Sequence, residues 1–258
     1  MRREVLNIVI PMAGGGSRFQ KAGFTLPKPL IPVFGRPMVQ VVIDNVRPSM
    51  PHRFIFIVQR AAVAQHRLDV LLRQWAPGCK IAMLDGITEG AACTVLTAKT
   101  LIDDDNPMMI ANSDQYVELD IDDYLASMDR QQADGMIMTM WADHPKWSYV
   151  RFDSEGRPCE VVEKQVVSNE ATVGIYNYRR GRDFVAAAER MIAKNLRVNN
   201  EFYVAPAYNE MLASGARLCL YNVGREYAGM YGLGTPEDLA IFHDMVLNHR
   251  INGFARAA

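Results

Sequence analysis

A chain of 258 residues that is 49% hydrophobic and 22% charged can bury one sizeable core, and a formal net charge of −1 offers no basic field to recruit nucleic acid or an anionic membrane. Cys79, Cys93, Cys159 and Cys219 stand far apart with no C-x-x-C and no histidine pair nearby, which argues against structural zinc and a disulfide framework and predicts reduced thiols. Arg2-Arg3 leads only into a short apolar stretch cut by Pro11, too short for a signal peptide or a membrane span, so a cytoplasmic protein without a membrane partner is expected.

Residues 6–10 form an apolar, β-branched run long enough for one buried strand, and it breaks into Gly14-Gly15-Gly16. Glycine lets successive backbone N–H groups converge on phosphate oxygens, and Arg18 and Lys28 add fixed positive charge beside them. Two common phosphate loops are excluded. Gly16 is followed by Ser17-Arg18 instead of Lys-Ser/Thr, and no third glycine arrives until Gly23, with Pro27 and Pro29 close behind. A plain turn after an edge strand is the alternative.

Pro37 then opens a helix over 38–46, residues 54–58 read as a strand, and 63–75 read as a helix closed by Pro77-Gly78. A strand at 80–84, a helix at 91–101 and a strand at 107–111 follow, the last running into Asn112-Ser113-Asp114-Gln115. Repeated β-α units predict a mostly parallel sheet whose ligands sit at the carboxyl ends of the strands. The Gly14 loop and Asp114 fall on that edge, which joins them into one expected site. A single carboxylate there suits magnesium held against phosphates, the alternative being an Asx turn capping the next helix. Asp120, Asp122 and Asp123 read as N-terminal charges of that helix.

The second half changes character. Strand-like segments at 136–141, 148–152, 159–162 and 172–178 are separated by turns, which suggests antiparallel strands continuing the sheet. Residues 182–194 read as an amphipathic helix, Asn199-Asn200 introduces another reaching Leu212, and 218–223 is a late strand. Thr235 caps a terminal helix with Pro236 at its first position and Glu237-Asp238 in its first turn.

The run Ala13-Gly14-Gly15-Gly16-Ser17-Arg18-Phe19, a short spacer, and Pro27-Lys28-Pro29-Leu30 resemble the signature of sugar-phosphate nucleotidyltransferases. The resemblance implies a Rossmann-like α/β fold, a mixed, mostly parallel sheet flanked by helices, with antiparallel strands on the acceptor side. One domain is expected over 1–258, with a nucleotide half at 1–130, an acceptor half at 131–232 and a C-terminal helix at 233–258. It further implies that Ala13, Gly14, Gly15, Gly16, Ser17, Arg18 and Ser113 hold a nucleoside triphosphate, that Lys28 contacts it near the reacting phosphorus, and that Asp114 binds catalytic Mg2+. Thr88-Glu89-Gly90 resembles the segment that holds base and ribose, with Glu89 where glutamine is frequent; an ordinary capping role is the alternative. Glu163-Lys164 resembles the pair lining the acceptor pocket, the lysine on the acceptor's phosphate, and Gly174 lies on the strand beneath. Glu201 and Tyr203 are candidates for acceptor contacts or for helix entry.

One departure stands out. Many members carry a second metal-binding aspartate two residues before Gly234, where this chain has Gly232. The expected reaction transfers NMP from an NTP, CTP or dTTP favoured, to a sugar 1-phosphate for capsule or lipopolysaccharide glycans. A cytidylyltransferase acting on phosphocholine or a phosphorylated amino acid, and a catalytically silent nucleotide sensor, are alternatives. A glycosyltransferase would usually carry Asp-x-Asp, and Asn112-Ser113-Asp114 offers one carboxylate. The resemblance also makes a homodimer an expectation.

Overall fold

The computed structural model describes residues 4–248 together with Ile251 and Phe254; the remainder of the expected C-terminal segment lies outside the described residues. The first half runs β1 (Leu6–Pro11), α1 (Ser17–Lys21), β2 (Pro32–Val33), β3 (Arg36–Pro37), α2 (Met38–Asn45), β4 (His52–Gln59), α3 (Arg60–His66), α4 (Leu68–Trp75), β5 (Lys80–Leu84), α5 (Ala91–Leu96) and α6 (Lys99–Ile102). Next come β6 (Met108–Ala111), β7 (Gln115–Val117), α7 (Ile121–Arg130), β8 (Gly135–Trp141), β9 (Ser148–Phe152), β10 (Pro158–Glu163) and β11 (Glu170–Tyr178). The chain continues through α8 (Gly181–Ala193), α9 (Ala207–Leu212), β12 (Leu218–Glu226), β13 (Gly229–Gly232) and α10 (Pro236–Leu247).

β1 pairs in parallel with β4 and with β6, and β4 pairs in parallel with β5. Successive side chains on these strands enter opposite layers. Ile8, Ile10, Phe54 and Phe56 pack with Val42, Leu72 and Tyr124 on one face, while Val9, Ile55 and Ile57 pack with Val95, Ile102 and Phe184 on the other. Burial on both faces is why 54–58 reads as an unbroken apolar run and 6–10 as one interrupted only by buried Asn7, whose side-chain oxygen accepts from the Arg53 guanidinium. β11 lies antiparallel between β6 and β8, and carries the antiparallel β9–β10 pair through Ala171 and Tyr149. Beyond β8 the sheet continues through parallel β12 and β13 to antiparallel β7.

Two helices differ from their expected extents. The 63–75 segment is α3 and α4, broken at Arg67, whose φ of 51° turns the chain so that Leu68 and Leu72 reach the core while α3 buries no residue. The 91–101 segment is α5 and α6. Between them Thr97 N and Ala98 N donate to carbonyls three residues back, and the Thr97 hydroxyl also donates to Thr94 O at 2.6 Å, which ends the α-helical ladder. Asp120 caps α7 as its composition suggests, its carboxylate accepting from Asp122 N and Asp123 N.

A third apolar cluster sits behind the glycine loop. Phe19, Ile31, Val33, Met38, Tyr231, Leu233, Leu239 and Phe242 bind α1, the β2–β3 pair, β13 and α10 into one body. Phe19 alone, fully buried at 1% exposure, is worth roughly 2–3 kcal/mol of apolar burial, enough to hold a five-residue helix that could not persist by itself.

Candidate active site

β1 delivers buried Ala13 into the loop, while Gly14, Gly15 and Ser17 lie at the surface. The side-chain amide of Gln59, at the end of β4, donates to Ala13 O at 2.6 Å and Gly86 O at 3.0 Å, tying the loop to the turn that precedes Glu89. With Phe19 fixed in the third cluster, Arg18 on the neighbouring position faces outward. Pro27 and Pro29 frame Lys28 in a single 3-10 turn, and the Lys28 ammonium is ion-paired with Asp114 just beyond β6. Both side chains keep about a quarter of their surface exposed, at 23% and 26%. Gly234 lies directly over the pair: a Cβ there would come 2.6 Å from Asp114 Oδ2 and 3.8 Å from Lys28 Nζ.

Two cavities share Arg18 and Gly234. The smaller, about 200 Å³, lies between Gly16, Ser17, Arg18 and Lys28. The larger, about 270 Å³, brings Arg18 and Asp114 together with Glu163, Lys164, Gly174 and Tyr203. Ala13, Gly14, Gly15, Ser113, Glu89, Gly90 and Glu201 line neither cavity, although Ala91 does.

Glu89 is exposed and its carboxylate meets Arg197 at 2.6 Å, the Arg197 guanidinium lying 4.3 Å above the Phe202 ring. The backbones are stitched as well: Phe202 N donates to Glu89 O at 2.8 Å and Ala92 N to Phe202 O at 2.9 Å. Gly90 sits between these bonds with φ 126°, and a Cβ there would come 2.5 Å from Phe202 backbone atoms, so glycine is required twice over.

In the larger cavity, Glu163 is buried, accepts a short hydrogen bond from the Ser148 hydroxyl, and lies 3.5 Å from Lys164 Nζ. Lys164 also donates to Lys146 O at 2.7 Å and stands 5.6 Å over the Tyr203 ring. Lys146 bridges the Trp147 ring at 4.7 Å and Glu226 at 2.7 Å. Burial first, then the charges of Glu201 and Glu163, push the Tyr203 phenol up to about 12, so it is a neutral donor at ordinary pH. Glu201 itself is exposed, its backbone paired with Val198 and its charge among the causes that raise the Tyr203 phenol. Gly174 supports the floor, since a Cβ there would overlap the Asn112 side-chain amide.

Several lining residues escaped the sequence reading. Lys146 and Trp147 sit in an irregular loop between β8 and β9, where only an isolated tryptophan among polar residues marks them. Gln59, which lines neither cavity but ties the loop in place, falls just past the expected 54–58 strand. Asp238, expected only to charge the first turn of α10, lines the larger cavity. Its Oδ1 accepts from the Tyr227 hydroxyl at 3.1 Å, and a Cβ on Gly232 would lie 3.4 Å from its Oδ2. Among the described residues no group of three or more histidine, cysteine or acidic side chains gathers as a metal cage. Magnesium needs no such cage, because one or two carboxylates with substrate phosphates and water complete its shell, and the carboxylates of this cavity meet that requirement.

The family described as nucleotidyl transferase is matched over residues 8–207. The bifunctional protein GlmU of Paraburkholderia xenovorans is 27% identical over 243 residues, which is 91% of this chain and 51% of that protein. The chain thus spans about half the length of the curated relatives it matches. The nucleoside-diphosphate-sugar pyrophosphorylase of Vibrio cholerae is 25% identical, with a TM-score of 0.76 over 92% of this chain and 99% of that one. A UDP-glucose pyrophosphorylase solved with UDP-glucose shares the fold at 17% identity, TM-score 0.75, covering 95% of this chain and 100% of its own. The helix-flanked mixed sheet is therefore the expected fold, and the chain belongs to the nucleotidyl transferase family, within its sugar-phosphate nucleotidyltransferases.

Proposed function

We propose that this chain joins a nucleoside triphosphate, CTP or dTTP favoured, to a sugar 1-phosphate, giving a nucleoside-diphosphate sugar and pyrophosphate for glycan assembly. The observation that carries this reading is the Lys28–Asp114 pair, set between the Gly16–Arg18 loop and a cavity whose far side holds Glu163 and Lys164. An oxygen of the acceptor phosphate attacks the α-phosphorus, a new P–O bond forms, and the α–β bridge breaks with its electron pair leaving on pyrophosphate. No protein nucleophile is needed. Arg18, Lys28 and the loop amides neutralise and align the triphosphate, and Lys164 draws in the acceptor's phosphate, so that two mutually repelling anions meet in line. Asp114 would hold magnesium, which when bound supplies charge neutralisation across the phosphates.

The aromatic faces separate sugar phosphates from phosphocholine. A quaternary ammonium needs an open aromatic face, whereas lysine ammonium groups already stand over Trp147 and Tyr203. Two cations and a buried carboxylate suit an anionic acceptor with hydroxyl groups. The test is pyrophosphate release with Mg2+, pairing CTP, dTTP, UTP, ATP and GTP with a panel of sugar 1-phosphates and with phosphocholine. Release that requires one nucleotide and one sugar phosphate is the expected result. Release with phosphocholine would overturn the acceptor reading, and nucleotide binding without release from any pair would replace the enzyme by a silent sensor.

A further inference from the structure

Resting on the reading above, we propose that Asp238 is the second carboxylate of the magnesium site, entering it from the first turn of α10 through the space beside Gly232. A side chain at 232 would start in contact with Asp238, 3.4 Å from both Cγ and Oδ2, so the carboxylate of 238 borders the volume that a residue at 232 would otherwise fill. The backbone of Gly232 does not itself demand glycine, because its φ lies outside the left-handed range.

The approach of Asp238 is fixed from both ends. Its backbone N–H donates to the Thr235 hydroxyl at 3.0 Å, locking the first turn, and Tyr227 holds Oδ1. Oδ2 has no hydrogen-bond or ion-pair partner among the described residues and points toward the Gly232 side. The Gly232 segment is in turn tied to Asp114: Leu233 N donates to Asp114 O at 2.8 Å, and Gly232 pairs with Gln115 in the β13–β7 ladder. Both carboxylates line the same cavity.

Charge balance gives Asp238 a distinct part. Asp114 is already compensated by Lys28, whereas no lysine or arginine among the described residues forms an ion pair with Asp238. A dication arriving with a triphosphate meets in Asp238 an uncompensated anion that does not have to release a lysine first.

Mn2+ binding, read by the electron paramagnetic resonance of the free ion in the presence of CTP, dTTP or UTP, tests this without turnover. Asp238→Asn keeps an oxygen for Tyr227 and the Thr235 cap, and should weaken nucleotide-dependent Mn2+ binding at least roughly tenfold, as should Asp114→Asn. Nucleotide binding in EDTA should be no weaker in D238N than in wild type, since only a negative charge is lost, which also reports an intact fold. The relocated carboxylate, G232D combined with D238A, should recover Mn2+ binding lost in D238A. Wild-type Mn2+ affinity in D238N, with D114N impaired, overturns the role of Asp238 and leaves the enzyme reading standing. No nucleotide-dependent Mn2+ uptake by the wild type overturns both.

Discussion

The Lys28 ammonium rests on the Asp114 carboxylate, joining a proline-framed turn to the end of β6 across 86 positions of sequence. The pair sets the Lys28 cation, which lines the smaller cavity, against a carboxylate that lines the larger one. It also leaves Gly234 no space for a side chain.

Gly234→Ala should therefore disable the site while sparing the fold. Its Cβ would intrude 2.6 Å from Asp114 Oδ2, a spacing that forces the carboxylate or the turn to move. A displacement on the order of 1 Å costs about a hundredfold in turnover. Steady-state pyrophosphate release should show that loss, with a melting temperature close to wild type; full activity would mean that the pair's position does not matter.

Lys28→Ala and Arg18→Ala should each lower turnover by roughly a hundredfold to a thousandfold, as expected when a charge that stabilises the transferring phosphate is removed. Neither side chain belongs to an apolar cluster, so thermal stability should change little. Near-normal kcat at saturating nucleotide would remove either residue from the triphosphate site.

Lys164→Ala should act on the other substrate. Its ammonium stands over Tyr203 and beside Glu163, remote from the glycine loop in sequence, and the residue lines the larger cavity. The KM of the sugar phosphate should rise about tenfold or more while the KM of the nucleotide stays within about twofold. Equal effects on both substrates would contradict a division of the cavity into two ends.

Alkaline unfolding should be steep. Tyr124, Tyr178 and Tyr208 are fully buried, and burial holds their phenols well above the ordinary value of 10.0. In the unfolded chain they ionise near that ordinary value, so the unfolded state binds fewer protons above it. The contribution is fully present below about pH 10 and is lost as pH rises toward the folded values. Phenolate absorbance from these residues should appear only together with loss of near-UV circular dichroism; ionisation in a still-folded protein would refute it.

The parallel core was legible because strands buried on both faces write uninterrupted apolar runs, as at Val9 and Ile55. The strand-edge argument joined the Gly14 loop to Asp114, and the structure brings Lys28, a short spacer beyond that loop, onto Asp114. What stayed hidden is tertiary. β7 and β13 are three and four residues long, too short for any periodicity, yet their pairing sets Gln115 opposite Gly232. Arg67 breaks a helix although it is neither glycine nor proline. Asp238 looks from sequence like an ordinary first-turn acid, and only the fold of the 233–235 turn brings it beside Gly232. Glu89 was read for its chemistry, but its partner Arg197 lies in the other half of the chain.

The stitching of Glu89 and Ala92 to Phe202 bears on how such a protein can diversify. Where a Cβ at Gly90 would strike the facing backbone, a strip from the first half and a strip from the second meet with no room for a side chain at that position. A chimaera built by exchanging residues 1–130 with those of a relative would carry one half of this seam against a stranger. Such an exchange preserves the backbone bonds wherever glycine occupies position 90, while the Glu89–Arg197 ion pair survives only if both residues are kept.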